Sequence, residues 1–231
     1  MIILALETAT SHQSVAVLND HHLLAYLEYE SGRPLTPQII PTIDRLLTSV
    51  SLRMSDLDGL AISMGPGTFT GLRVGLATMT AFRLALNIPL VGVSTLEGLV
   101  WNHPSSDLPL LSTVSIRPGM VYWGLFRWED NQVVCLQESQ IGHITEVCSA
   151  VSEPTIMLGD GWMQNLNSLP STEFPFIEAP AATSRPSAKG IGRAGRVLLA
   201  RGTFLPQGCT PHYIQPSYAE ISRSKSLDPA G

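Results

Sequence analysis

The sequence predicts an α/β protein made of two tandem halves, the second reduced. Three observations carry this. A strand, a glycine loop and a helix follow one another directly over residues 60–86. Strand-length apolar runs alternate with helical apolar faces through the first hundred residues. After a polar linker the strand pattern starts again.

The strand–loop–helix element anchors the reading. Leu60-Ala61-Ile62-Ser63 is a short apolar run of buried-strand type. Met64-Gly65-Pro66-Gly67-Thr68-Phe69-Thr70-Gly71 follows, then Leu72 to Leu86, a segment of good helix formers without Pro. Gly65, Gly67 and Gly71 allow backbone angles that other residues resist. The helix N-terminus offers unpaired N–H groups. Phosphate-loop patterns do not fit. A Walker A loop needs a second Gly where Thr70 or Leu72 stands, and a Lys that this loop lacks. A dinucleotide fingerprint needs a Gly at Thr70 and an acid near Leu86-Asn87-Ile88-Pro89. In the helix, Ala77, Ala81 and Ala85 share one face, and Leu72, Leu76, Met79 and Leu86 fill much of the rest. A helix apolar on nearly all sides must be covered on nearly all sides. It is either enclosed within one domain or part of a subunit interface.

The other elements fall in order around it. Ile2–Leu6, Val15–Leu18 and Leu23–Tyr29 read as strands, with Asn19-Asp20-His21-His22 as a turn. Thr36 can cap a helix with Pro37 at its first position. That helix runs to Val50 and gathers Ile39, Ile43, Leu46 and Leu47 on one face. Pro89–Val93 is a strand, and Ser94 to Glu97 has capping-box spacing. Three strands, helix, strand, helix, strand, helix is the order of a ribonuclease-H-like or actin-like domain. Trp101 to Pro109 is a linker by composition. Beyond it, Leu110–Ile116, Val121–Trp128 and Val133–Leu136 read as strands. A short helix near Thr145–Val151, a strand at Thr155–Leu158 and the turn Gly159-Asp160-Gly161 complete a degenerate second copy. The expected fold is therefore an actin-like (ASKHA, ribonuclease-H-like) tandem duplication. Its domains span 1–103 and 104–218, with a polar tail at 219–231. A helix from Arg185 to Arg201 carries Arg185, Lys189, Arg193 and Arg196 as a basic stripe. Such a stripe either faces nucleic-acid phosphates or is a solvated face.

Composition narrows the function. Of 231 residues, 44% are hydrophobic and only 14% charged, so a partner is expected to cover some apolar surface. The net charge of −5 argues against the whole chain being a nucleic-acid binder. Cys135, Cys148 and Cys209 form no C-x-x-C pair. The opening Met1-Ile2-Ile3-Leu4-Ala5-Leu6-Glu7 has no basic n-region and reads as a strand, so a cytoplasmic location is expected. The six histidines show no i, i+4 pair, and no metal is expected. There is no Gly-x-Ser-x-Gly elbow and no Cys–His pairing to suggest nucleophilic catalysis.

Gly-Pro-Gly-Thr-Phe-Thr-Gly-Leu-Arg-Val-Gly-Leu-Ala (65–77) resembles the signature of the TsaB (YeaZ) family. Leu-Glu-Thr-Ala-Thr (6–10), Leu-Thr-Pro-Gln-Ile-Ile-Pro (35–41), Val-Ser-Thr-Leu-Glu (93–97) and Leu-Gly-Asp-Gly (158–161) extend it. The chain departs at Ser115 and Met120, where the family usually has acids, and at Gln215, where it usually has Arg. The resemblance implies a non-catalytic subunit of bacterial tRNA threonylcarbamoyladenosine biosynthesis. Its partner would be the homologous catalytic subunit TsaD, whose His-x-x-x-His metal motif is absent here. A TsaE-type ATPase would join the complex and tRNA would bind through it. Apart from the resemblance, an isolated apolar helix face seeks a like partner, so a homodimer is an expectation for the chain alone. The docking surface would comprise Ile39, Ile43, Leu46, Arg73, Val74, Leu76, Ala77, Thr80 and Ala81. By analogy with actin-like ATPases, Glu7, Thr8, Gly65, Gly67, Thr68 and Gly71 are candidate nucleotide-binding residues for ATP or ADP. Otherwise Glu7 only bonds nearby N–H groups. The alternative function is an ATP-using enzyme of the actin/sugar-kinase class acting by itself.

Overall fold

The structure is a computed structural model that describes residues 1–29, 38–149, 151–166 and 176–214. Its first sheet is built from β1 (Ile2–Glu7), β2 (Gln13–Asn19), β3 (His22–Tyr29), β4 (Gly59–Ser63) and β5 (Leu90–Val93), in the order β3-β2-β1-β4-β5. The first three strands are antiparallel neighbours, and β1, β4 and β5 run parallel. The second sheet comprises β6 (Leu110–Arg117), β7 (Met120–Glu129), β8 (Gln132–His143), β9 (Thr155–Leu158) and β10 (Phe176–Glu178). Its order, β8-β7-β6-β9-β10, repeats the first strand for strand, with the same parallel and antiparallel pairings. This is the actin-like duplication of a ribonuclease-H-like unit. The second copy is reduced. Helices α1 (Ile39–Ser49) and α2 (Phe69–Leu86) have 11 and 18 residues, whereas their counterparts α4 (Ile144–Ser149) and α5 (Asp160–Met163) have 6 and 4.

Strand alternation sorts the core. Leu4, Leu6, Leu60 and Ile62 point to one face of the first sheet, where α1 and α2 cover them. Ile3, Ala5, Ala61 and Val91 point to the other face. They are covered by Ala188, Ile191 and Ala194 of α6 (Ala188–Arg201), a helix from the far end of the chain. Reciprocally, Leu96, Leu99 and Val100 of α3 (Thr95–Asn102) pack on Leu110, Val114, Phe126 and Ile156 of the second sheet. Each half thus lends a helix to the other. The boundary expected at residues 103 and 104 separates the strands but not the packing. Nor is Trp101-Asn102 linker. Asn102 Nδ2 donates to the Arg185 carbonyl at 2.8 Å, and Ser187 Oγ donates to Asn102 Oδ1 at 2.9 Å.

Other details differ from expectation for identifiable reasons. Ser94 does cap α3 by position, but its hydroxyl bonds no backbone N–H and no capping box forms. Glu97 instead accepts from Trp101 Nε1 at 3.3 Å. The Gly159 turn leads directly into α5. β8 runs to His143, well past Leu136, because polar side chains alternate on its exposed face. Helix α2 begins at Phe69, three residues early, with Thr68 at its cap. Thr36, Pro37, Gln215 and the 219–231 tail lie outside the described residues. A strap at 203–213 closes the first half. Leu205 N–H donates to the Leu90 carbonyl at 2.9 Å, and His212 N–H to the Met64 carbonyl at 2.8 Å. Among the described residues no helix is long and apolar enough to cross a membrane.

Helices α3 and α6 meet backbone to backbone. A Cβ on Gly190 would collide with the Gly98 carbonyl oxygen and approach Asn102 Oδ1. Backbone cannot yield as a flexible side-chain tip can. Gly190→Ala should therefore lower stability by about 2–4 kcal/mol in urea denaturation. Gly202→Ala meets nothing within 4 Å and faces only its positive φ of 71°. Its cost should be nearer ~1 kcal/mol.

Candidate docking face and inter-lobe cleft

The glycine loop is shaped by the protein's own backbone. Cβ atoms on Gly67 and Gly71 would collide with the carbonyl oxygens of Ala9 and Thr8. Thr68 N–H at the helix cap donates to the Ala9 carbonyl at 2.6 Å, and Thr8 Oγ1 donates to the Gly71 carbonyl at 2.8 Å. The segment after β1 thus occupies the place at the α2 N-terminus that a phosphate would take in a nucleotide loop. Of the candidate nucleotide residues, only Gly67 and Thr68 line the cleft between the halves; Glu7, Thr8, Gly65 and Gly71 are buried within the protein.

That cleft has a volume of about 330 Å³ and is lined by residues 9–11, Gly67, Thr68, Ser115, Tyr122, Asp160 and Gln164, among others. Asp160 is the only charged side chain among the described residues lining it, and there is no Lys or Arg. Burial raises the Asp160 pKa, while the Ser115 N–H, donating at 3.0 Å, and nearby His12 pull it back. A triphosphate here would meet a carboxylate and, among the described lining residues, no Lys or Arg. Asp160 comes from the Leu158–Gly161 motif. Ser115 joins it through its backbone N–H, so the missing acid at that position does not affect this contact.

Glu7 is wholly buried at the end of β1. Its Oε1 accepts from the Ala9 N–H at 2.6 Å, and its Oε2 has no partner among the described residues. Burial raises its pKa from 4.5 to about 7, against the opposing pull of Ser63 and the Ala9 and Thr10 N–H groups. Glu7 thus bonds one nearby N–H through a single carboxylate oxygen.

The outer face of the first half separates two groups of expected docking residues. Ile39, Ile43 and Leu46 of α1, and Leu76 of α2, lie in the core against the first sheet, at 2%, 1%, 5% and 7% exposure. They cannot form a docking surface, because an amphipathic helix spends its apolar face on its own sheet first. Arg73, Ala77 and Ala81 are exposed, and Val74 and Thr80 half-buried. Ala85 is exposed on the same stripe, and Leu84 beside it is 66% exposed. The α2 stripe therefore faces outward rather than into one enclosed domain. Arg83, half-buried, is held by its donation to the Leu205 carbonyl at 2.7 Å.

The basic stripe is broken up. Arg185 precedes α6, Lys189 lies over the Tyr26 ring at 4.4 Å, and Arg193 donates to the Trp101 carbonyl at 3.0 Å. These contacts arise because α6 is buried between α3 and the first sheet. Among the described residues no group of three or more His, Cys, Asp or Glu is placed to hold a metal ion. Sequence reasoning missed the Phe69–Arg73–Tyr213 cluster. Arg73 Nε donates to Tyr213 Oη at 3.1 Å, across 140 positions, which leaves no local signal.

The Glu7 environment makes stability depend on pH. The carboxyl titrates near 7 when folded and near 4.5 when unfolded. Below 4.5 both states hold the proton and the stabilisation is complete. From there to about 7 the unfolded state releases its proton first, so stability falls as pH rises. Glu7→Gln should remove this slope and raise stability at pH 8 by about 3 kcal/mol, read from urea midpoints across pH.

Comparison with known proteins gives the lineage. A family model described as "TsaD: tRNA N6-adenosine threonylcarbamoyltransferase" matches residues 30–171, more than half the chain. The chain is 31% identical over 171 residues to the "tRNA threonylcarbamoyladenosine biosynthesis protein TsaB" of Escherichia coli (strain K12), covering 70% of this chain and 72% of that protein. It is 28% identical over 163 residues to the TsaB protein of Bacillus subtilis (strain 168), covering 69% and 71%. The solved structure "YeaZ from Pseudomonas aeruginosa" superposes with a TM-score of 0.76 at 22% identity, over 92% of this chain and 99% of that one, a likeness of fold. The chain belongs to the TsaB (YeaZ) family.

Proposed function

We propose that this chain is a non-catalytic subunit that binds and activates a TsaD-type threonylcarbamoyltransferase. The pair would carry out N6-threonylcarbamoylation of the adenosine next to the anticodon in tRNAs. The observation that carries the docking part is the outward α2 stripe of Ala77, Ala81 and Ala85, with Leu84 beside it. Small residues let another helix approach to about 8 Å, and the exposed apolar area is lost from water when it does. The relatives' names support the pathway. In this reading TsaD supplies the chemistry, a TsaE-type ATPase completes the assembly, and tRNA is held by the complex. Free of its partner, the chain pairs with a second copy through the same face, and it works in the cytoplasm. An ATP-using enzyme acting by itself is the weaker reading, since the cleft offers phosphates no cation among the described residues.

Sedimentation of the chain with the TsaD-type subunit from the same cell tests this. The parent should form a one-to-one complex. Ala77→Arg should stay folded, because Ala77 is exposed, with a stability change within about 0.5 kcal/mol. It should weaken the complex at least about a hundredfold by burying an unpaired charge. No complex with the parent under any nucleotide or tRNA condition would overturn the proposal and direct attention to ATP turnover.

A further inference from the structure

Building on the docking proposed above, we infer that Arg73 is a preformed carboxylate clamp, and that the helix lying against α2 brings it an Asp or Glu. Arg73 is exposed, yet it is not free to move. Its guanidinium carbon sits 3.7 Å from the centre of the Phe69 ring and 6.0 Å from that of Tyr213. The two rings lie 5.1 Å apart, and Nε donates to Tyr213 Oη at 3.1 Å. Most of the entropy an Arg loses on binding is therefore lost before any partner arrives.

With Nε engaged, the two terminal nitrogens of the exposed Arg73 make no hydrogen bond among the described residues. Together they form the planar fork that matches a carboxylate. Among the described residues Arg73 makes no ion pair, and α2 contains no Asp or Glu. The cation also sits towards the N-terminal end of α2, where the helix dipole disfavours it. Holding the strap does not explain it, since Leu205 and His212 already tie that segment to Leu90 and Met64. Arg83, the other cation on α2, is committed to the Leu205 carbonyl. The surface is thus one fixed positive fork at the head of a stripe of small residues.

This selects among partners. A second copy meeting α2 with its own α2 brings another Arg73 and no acid. From the outer layer beside α2, a second copy would bring the one acid of α1, Asp44, which is exposed beside Arg45. The occupant that satisfies the fork is a helix of the TsaD-type subunit with an outward carboxylate. Charge at this point then separates the productive complex from self-association.

The test measures affinity between the TsaD-type subunit and the parent chain, Arg73→Ala, Arg73→Lys, Tyr213→Phe and Ala77→Arg, at low and raised salt. Arg73→Ala should weaken the complex about 10- to 100-fold and flatten its salt dependence. Arg73→Lys should recover little, because an ammonium cannot form the fork. Tyr213→Phe, which keeps the ring and loses the hydroxyl, should cost about three- to tenfold. If Arg73→Ala stays within about twofold of the parent while Ala77→Arg still abolishes binding, docking stands and the clamp is wrong. If neither variant matters, the docking face itself is wrong. If Arg73→Ala spares the complex but dissolves a homodimer that Asp44→Asn also dissolves, the carboxylate belongs to a second copy and the inference falls.

Discussion

The contact on which the molecule depends is the crossing of α3 and α6 through Gly98 and Gly190. It is a backbone contact, tight enough to leave no room for a methyl group. Around it, α3 completes the core of the second sheet and α6 the core of the first. Neither sheet covers both of its faces with helices of its own half. The crossing therefore links the two halves by packing, and a second half whose own helices α4 and α5 are short gains a shared core from it. The small α4 and α5 are tolerated because the second sheet borrows α3.

The exchange also decides what faces outward. With α3 and α6 spent between the lobes, α1 and α2 form the outer layer of the first sheet. Helix α1 is amphipathic, with buried Ile39, Ile43, Leu46 and Leu47 and with Asp44, Arg45 and Thr48 outside. Helix α2 has no comparable polar face. Its sheet side takes Leu72, Leu76 and Met79, and its outer side carries alanines, Leu84 and the held Arg73. An outer helix without a polar face is consistent with a low-charge chain made to be covered.

The cleft is the feature this fold shares with nucleotide-using proteins, and here its electrostatics run the other way. Residues 8 and 9 fill the space at the helix N-terminus, and Asp160 supplies negative charge opposite. The glycines that look like a ligand loop in the sequence serve a strand-to-helix contact. Glu7, a candidate nucleotide-binding residue in the sequence, is enclosed and titrates near neutrality. The physical consequence is a pH-sensitive stability of the fold at the end of β1.

Local chemistry made much of the fold legible. Apolar runs of strand length, the helix periodicities and the restart near Leu110 were sufficient for the order of the first half and for the duplication, because these depend on neighbours in the chain; the four-residue α5, which reads as a turn, and the three-residue β10 are too short to leave a pattern. The family motifs were equally local. Three things were not readable. The helix exchange pairs residues about 90 positions apart, so no periodicity reports it. Ile39 and Ala77 both lie on apolar helix faces, and only the packing shows that the first is spent on its own sheet while the second is left over. The Arg73 clamp needs Tyr213, brought close by a strap that no local pattern marks. The sequence by itself determined which segments are strands and helices and which faces must leave water; the tertiary structure alone decided what covers each face, since burial is a property of distant segments meeting.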